Sequence, residues 1–346
     1  MKENPSHNEE PVRVGLVGLG GHGETIQRAV EHAAALVVAA VYDPVETHAG
    51  AASRRFGCAV ASSYEALLRR DDLDAVVLVT PNALHRRQVE AAIEAGRHVF
   101  VEKPIANTVA DGRAMVEAAE AKGRVLIVGH NMRYGRAARQ AHKMLNAGRL
   151  GKVVSIEIHF SSDTIRRLPS DAWRLQPDQC PLLPVMQLGI HAIDLAHYLL
   201  GPIVEVHAFA QSVTTSPGVI DSVVASLRME NGTLGTLVSH YCTQVTFAYR
   251  LAGTDGTLRC TPHRVWFRRN DDTDEHGDGA AETYDYAAHE SYVLQMEAFG
   301  EAVRRRTPPE TDGWTGLQAV AVVEALHRST ETGTPQLVRS FADRVP

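Results

Sequence analysis

The stretch Val12-Arg13-Val14-Gly15-Leu16-Val17-Gly18-Leu19-Gly20-Gly21-His22-Gly23-Glu24 decides the reading of this chain. Its first six residues form a short apolar run of the kind that makes a buried strand. The glycines that follow satisfy G-x-G-x-x-G, and a helical pattern begins at Glu24. The hexapeptide alone is weak; between a strand and a helix it predicts a dinucleotide site. Gly18 permits the tight turn, Gly20 lets backbone approach a pyrophosphate, and Gly23 lets helix and strand pack closely. Gly21 and His22 complete the loop. The helix N-terminus then offers N–H groups and a positive dipole end to phosphate.

Working outward, the same grammar repeats. Apolar runs at Leu36 to Tyr42, Ala75 to Val79, His98 to Val101 and Val125 to Val128 predict buried strands. Helical patterns lie between them, at Glu24 to Ala35, Val45 to Phe56, Tyr64 to Arg70, Ala83 to Ala95 and Val109 to Ala121. Gly96 and Gly123 follow two of these helices, where a left-handed residue is expected. The alternation predicts a doubly wound parallel sheet of Rossmann type over residues 11–129. Asp43 ends the second strand, where an acidic residue should bind the adenosine ribose hydroxyls. A carboxylate there repels a 2′-phosphate, and no Arg or Lys adjoins it in sequence, so NAD is expected over NADP.

Beyond residue 130 the pattern changes. A helix near Arg136 to Ala147, a strand at Lys152 to Phe160, a proline-containing loop and a helix over Gln187 to Leu200 lead into consecutive strands. These run Val204 to Val213, Val219 to Met229, Thr233 to Tyr241, Thr246 to Ala252 and Thr257 to Thr261, with turn signals at Asn231-Gly232 and Asp255-Gly256. Such a series predicts an open, mostly antiparallel sheet with helices over residues 130–346. Helices near Tyr292 to Arg305 and Gly313 to Ser329 close the chain, and no internal repeat is visible.

Composition fits this two-domain α/β plus α+β reading. The 346 residues are 44% hydrophobic and 22% charged, enough for two cores. A net charge of −6 and a pI near 6.3 argue against a nucleic-acid-binding face. No apolar run approaches the ~20 residues of a membrane span. Met1 to Glu10 is polar, lacks a signal core, and is expected to be a loose leader. Cys58, Cys180, Cys242 and Cys260 are scattered and form no C-x-x-C, which predicts reduced thiols in the cytoplasm and no zinc site. Asp271, Asp272, Asp274, Glu275 and His276 match no metal-loop spacing; a solvated hairpin tip is expected, and no metal.

Three further segments carry candidate chemistry. Thr80-Pro81-Asn82 and Glu102-Lys103-Pro104 each follow a buried strand, and ligands bind beyond the carboxyl ends of such strands. Lys103 therefore faces the cofactor crevice. Gln187-Leu188-Gly189-Ile190-His191-Ala192-Ile193-Asp194 places His191 and Asp194 on one helix face. An imidazole can take the proton of an alcohol as hydride leaves.

With those residues in view, the chain resembles the glucose–fructose oxidoreductase and inositol dehydrogenase (Gfo/Idh/MocA) family from Val12 to about Val338. The markers are the Gly18 loop, Thr80-Pro81-Asn82 with His85, Glu102-Lys103-Pro104, Asn131 before Arg133-Tyr134, Trp173-Arg174, and Gly189-Ile190-His191 through Asp194. The resemblance implies an active site between the two domains and a dimer or tetramer built on one face of the second sheet. It implies a cis Lys103–Pro104 bond, Lys103 polarising the reacting oxygen, and His191 as general acid/base. Asn82, Glu102 and Arg174 would hold the nicotinamide end, with Thr80, Pro81 and His85 beside the cofactor. Gln187 and Tyr292 are candidates for the substrate side; His159, Arg166 and Tyr241 are weaker ones. The implied substrates are sugars, sugar derivatives and cyclitols. Relatives also include enzymes that eliminate glycosidic groups through transient oxidation and non-catalytic dinucleotide sensors, and both remain alternatives.

Two departures stand out. Pro181-Leu182-Leu183, followed by Pro184, occupies positions that are often glycines in relatives, which predicts a stiffer, more apolar loop. Gln187 stands where an aspartate or asparagine is usual. A glutamine can hydrogen-bond both Lys103 and His191 but has no charge or transferable proton to offer them.

Overall fold

A computed structural model describes residues 10–271, 282–286, 290–341 and 344. The loose leader expected before Glu10, and Asp272, Asp274, Glu275 and His276, lie outside them.

The first part alternates β1 (Val12–Val17), α1 (His22–Glu31), β2 (Leu36–Tyr42), α2 (Glu46–Phe56), β3 (Ala59–Val60), α3 (Tyr64–Leu68), β4 (Ala75–Leu78), α4 (Asn82–Glu94), β5 (His98–Val101), α5 (Val109–Ala121) and β6 (Leu126–Val128). The strands pair in parallel in the order β3-β2-β1-β4-β5-β6. That order reverses direction between β1 and β4, which opens a crevice at their carboxyl ends. The strands are buried on both faces: every residue of β4 and β5 is buried. This explains their continuous apolar runs, since both layers of helices cover them. β3 escaped the sequence reading because it is only two residues long and both are exposed.

The second part contains α6 (Arg136–Asn146), β7 (Val153–Ser161), α7 (Ile190–Leu200), β8 (Ile203–Gln211), β9 (Ser222–Met229), β10 (Leu234–His240), β11 (Thr246–Gly253), β12 (Gly256–Thr261), β13 (Arg264–Arg269), β14 (Glu282–Asp285), α8 (Glu290–Arg305), α9 (Gly313–Thr332) and β15 (Gln336–Leu337). Among the described residues its strands form one sheet in the order β14-β13-β12-β11-β7-β10-β9-β8-β15. All pairings are antiparallel except β7 with β10. One face carries Ile156, Ile158, Leu227, Leu237 and Leu251, all buried. The other is open, and a row of paired residues, Phe209–Val224–Val238–His159–Ala248, crosses it.

The two parts are interleaved by the C-terminal helices. Met296, Phe299 and Val303 of α8 share a core with Val14, Leu16 and Phe100 of the first sheet. Glu297 accepts the N–H groups of Ala34 and Ala35, at 2.5 and 3.1 Å. Gly300 is needed there, because an added Cβ would lie 2.5 Å from that of Ala35. The Val128 N–H donates to the Thr311 carbonyl, 2.8 Å, just before α9. No helix among the described residues is long and apolar enough to cross a membrane.

Candidate active site

The glycine loop is forced by its surroundings. Gly18 has φ +85°, and an added Cβ would land on the Val79 carbonyl, 2.7 Å from its carbon. At Gly23 a Cβ would strike the Gly18 carbonyl. Gly21, by contrast, has φ +51° with open space where a Cβ would stand. No side chain caps α1 at this point. A bare helix N-terminus facing a cleft suits a pyrophosphate. The cleft holds about 700 Å³ and is lined by Gly18, Gly20, Gly21, His22, Asp43, Thr80, Pro81, Asn82, Glu102, Lys103, Arg174 and Gln187, among others. Its size and its glycine-rich end fit a dinucleotide.

Asp43 closes one end. Its carboxylate accepts the Leu19 N–H at 2.7 Å and the Val45 N–H at 2.9 Å. The His48 Nδ1 lies 3.4 Å away. Sequence inspection around Asp43 missed His48, because α2 brings it back over the strand end one turn later.

At the other end, Glu102 is buried, and its side chain packs where Gly129 leaves room: a Cβ there would sit 2.8 Å from the carboxylate. The His22 Nε2 is 3.3 Å from Glu102 Oε1. Burial would raise the Glu102 carboxyl, but His22 and Lys103 outweigh it and hold the group below its ordinary value. Tyr292, from α8, packs edge-on against His22, 5.7 Å between ring centres. It meets the loop bearing the cofactor site and does not line the cleft.

The Lys103–Pro104 bond is cis. Lys103 Nζ donates to the Gln187 carbonyl at 3.1 Å. Burial lowers the ammonium, the Glu102 carboxylate opposes that, and Arg174 adds to the lowering. His85 lies beneath this loop: its Nδ1 is 2.9 Å from the Pro104 carbonyl and its Nε2 2.9 Å from the Thr80 carbonyl. His85 thus ties together the two loops that carry Thr80 and Lys103, and it lies outside the cleft lining. Asn82 is also structural in part, donating to Asn107 at 3.2 Å, which in turn donates to the Gln179 carbonyl at 2.7 Å.

Gln187 sits in a π-helical turn, Val185–Gly189, that leads into α7. Its side chain does not bridge Lys103 and His191 as the sequence suggested. Its Oε1 accepts from Arg174 Nε at 3.2 Å, and its Nε2 donates to Cys180 Sγ at 3.3 Å. Only its backbone carbonyl reaches Lys103. Arg174 meanwhile stacks on Trp173, 4.7 Å from the ring centre. The upstream loop is apolar and packed: Leu182 and Leu183 are buried. Leu182 adopts φ +49°, a left-handed conformation that costs roughly 1–2 kcal/mol for a non-glycine residue, offset here by burial of the side chain.

His191 keeps partial exposure, while its Nδ1 is buried without a hydrogen-bond partner. Burial first, then the charge of Lys103, push it well below the ordinary imidazole value. It is therefore neutral at neutral pH. The ring of His130, fully buried, stands edge-on to it at 6.5 Å. Asp194 does not serve His191: it pairs with Arg133, Nε at 2.9 Å and Nη2 at 2.8 Å, in a buried ion pair. Of the weaker candidates, His159 lies on the open face of the second sheet, hydrogen-bonded to Ser161 at 2.9 Å, away from the cleft. Tyr241 is buried, and Arg166 follows β7 in a short 3-10 turn. Among the described residues no cluster of three metal-ligating side chains occurs, and all four cysteines are free.

The arrangement places a neutral imidazole in the field of a half-buried ammonium at the carboxyl end of β5; Lys103 lines the dinucleotide-sized cleft, and His191 stands outside that lining. Such a pair can accept a proton and stabilise a developing oxyanion.

Comparison with known proteins agrees with this geometry. Residues 12–130 match the family described as "Oxidoreductase family, NAD-binding Rossmann fold", and residues 138–259 match the GFO/IDH/MocA C-terminal domain. The chain is 31% identical to D-xylose 1-dehydrogenase (NADP(+)) 2 of Haloferax volcanii, over 92% of this chain and 97% of that protein. It is 27% identical to inositol 2-dehydrogenase of Rubrobacter xylanophilus, over 96% and 95% of the respective chains. The structure of levoglucosan dehydrogenase in complex with NADH and levoglucosan superposes with TM-score 0.87 at 23% identity, covering 96% of this chain and 100% of that one, which shows the common fold. The chain is an oxidoreductase with an NAD(P)-binding Rossmann fold, and it belongs to the GFO/IDH/MocA family.

Proposed function

We propose that this enzyme oxidises a secondary hydroxyl of a sugar, sugar derivative or cyclitol, or reduces the corresponding ketone, with NAD as its preferred cofactor. The observation that carries the reading is Lys103, which lines the cleft with its Nζ held 3.1 Å from the Gln187 carbonyl and whose charge helps hold the His191 imidazole below its ordinary value. The names of the relatives, D-xylose 1-dehydrogenase and inositol 2-dehydrogenase, support the substrate class.

When bound, nicotinamide supplies the two-electron acceptor or donor at C4. Gly18, Gly20, Gly21, His22 and Gly23 would hold the pyrophosphate, Asp43 the adenosine ribose, and Thr80, Pro81, Asn82, Glu102 and Arg174 the nicotinamide end. His191 takes the hydroxyl proton. Burial and the nearby Lys103 charge favour return of the imidazole to its neutral form. Lys103 lends its positive field to the oxygen that becomes the carbonyl. Gln187 acts one step removed, holding Arg174 with its side chain and Lys103 with its backbone. Tyr292 supports the site through His22. NAD over NADP rests on the Asp43 carboxylate, whose charge opposes a 2′-phosphate.

The proposal extends to a small sugar-like partner, with neither nucleic acid nor membrane involved, and to a cytoplasmic setting for the four unpaired thiols. It also extends to a homodimer or homotetramer formed over the open sheet face, where Phe209 and Val224 are exposed.

The test is NADH formation at 340 nm across sugars, cyclitols, nucleotide sugars and aminoglycosides, with product mapping. We expect His191→Ala and Lys103→Ala each to abolish most turnover, a loss of about 10²–10⁴-fold for the acid/base. Gln187→Ala should mainly raise KM. Near-wild-type turnover by His191→Ala would refute the mechanism. Product without net NADH would point instead to elimination through transient oxidation.

A further inference from the structure

The ribose end of the cleft contains one fixed charge and one adjustable one. Asp43 is fixed: both carboxylate oxygens accept backbone N–H groups, from Leu19 and Val45, so the carboxylate cannot swing aside for a bulkier ligand. His48 is adjustable. Its Nδ1 lies 3.4 Å from Asp43 Oδ1, and nearly half of its side chain is exposed. Its ring packs against the glycine loop, where a Cβ on Gly20 would meet His48 Cε1 at 2.6 Å. It therefore stands between the phosphate-binding loop and the ribose-binding carboxylate, and it lines the cleft with both.

We propose that His48 is a specificity-determining residue for the cofactor, and that its protonation state sets how strongly a 2′-phosphate is excluded. With a neutral imidazole, the Asp43 charge is unopposed and the phosphate is repelled. With an imidazolium, Asp43 is paired and a cation faces the position a 2′-phosphate must occupy. Imidazoles change charge between about pH 5 and 8, so discrimination against NADP relaxes as pH falls. The other ionisable groups of the cleft are common to wild type and the His48 variants, so the comparison between them isolates His48. The glycine loop packed against it carries His22, which faces Glu102, and the end of β2 brings Tyr42 and Asp43 to the cleft. Glu46 lies on its own helix, α2, in the first turn, while Glu65 and Arg87 belong to other walls of the same cleft.

The inference rests on the reading that Asp43 contacts the adenosine ribose. It is tested by binding, which needs no knowledge of the sugar. The Kd values of NADH and NADPH are measured by fluorescence titration of the full chain from pH 6 to 8.5, for wild type, His48→Gln and His48→Arg. The 2′-phosphate itself titrates near pH 6, and His48→Gln isolates that contribution. We expect the wild-type ratio Kd(NADPH)/Kd(NADH) to fall by roughly tenfold more than the His48→Gln ratio between pH 8.5 and 6, the size of one pK unit of charge interaction. His48→Arg should bind NADPH better than wild type does at pH 8.5. Equal pH slopes in wild type and His48→Gln overturn the proposal, as does loss of both dinucleotides in His48→Gln. Wild-type preference for NADPH at pH 8.5 overturns the NAD reading alone, because the slope comparison still judges His48. If wild type binds neither dinucleotide, both fall.

Discussion

Substituting Gly18 by alanine should separate backbone strain from ligand contact in the dinucleotide loop. Two costs combine at this position. The φ of +85° is disfavoured for an L side chain by roughly 1–2 kcal/mol. The new methyl would also sit 2.7 Å from the Val79 carbonyl carbon and 3.1 Å from Thr80 Cγ2. Val79 follows the buried strand β4, so the carbonyl cannot retreat cheaply, and the loop must lift off the strand end instead. We place the total at about 2–3 kcal/mol, in the range of overpacking added to backbone strain. For a chain of this size that lowers Tm by roughly 4–10 °C. Gly21→Ala is the control: it shares the positive φ, +51°, but its methyl meets nothing within 4 Å. Thermal unfolding without cofactor should therefore rank Gly18→Ala below Gly21→Ala, which carries only the roughly 1–2 kcal/mol of the backbone conformation and no clash. A second scan with saturating NADH reads the site: the upward Tm shift given by wild type should shrink in Gly18→Ala, whose loop has moved. If Gly21→Ala is as destabilising as Gly18→Ala without cofactor, the clash with Val79 is not what demands glycine, and the reasoning fails.

Two pH effects follow from His191 and His98. His191 is held well below the ordinary imidazole value by burial and by Lys103, so it stays in the base form as pH falls through neutrality. The acid limb of kcat/KM for oxidation should lie below pH 6.5, and a limb at pH 7 or above would contradict the assignment. His98 is neutral in the folded protein, pushed down to about 4 chiefly by burial and then by Arg124 and Arg306, and its Nδ1 accepts the Val125 N–H at 2.9 Å. In the unfolded chain an imidazole titrates near 6.5, so below that pH the unfolded state binds more protons and stability is lost down to pH 4. Discounted for solvent screening, the loss is of order 2 kcal/mol. Urea unfolding at pH 7 and pH 4.5 should show a smaller acid loss for His98→Asn than for wild type, and an equal loss would refute the account.

Sequence alone determined most of the first sheet and the place of the glycine loop between its first strand and helix. β1, β2, β5 and α5 begin and end where the apolar runs and helical patterns predict. These signals are local: a strand buried on both faces must be apolar throughout, and a left-handed turn between strand and helix must be glycine. Many of the residues expected at the site line one cleft, although His85, His191 and Tyr292 do not, because loops after parallel strands all point to one crevice. Tertiary structure alone decided who touches whom there. Gln187 was expected to serve Lys103 and His191, yet its side chain holds Arg174 and Cys180, because a π-helical turn presents its carbonyl, not its amide, to Lys103. Asp194 shares a helix face with His191 in sequence but is claimed by Arg133, sixty-one residues away. α8 follows the second sheet along the chain and packs on the first. His48 reaches Asp43 only because α2 folds back over the end of β2. Each of these contacts joins residues that no periodicity relates, and each is chosen by the free energy of the packed whole: which buried polar atom finds a partner, and which apolar face is left to cover.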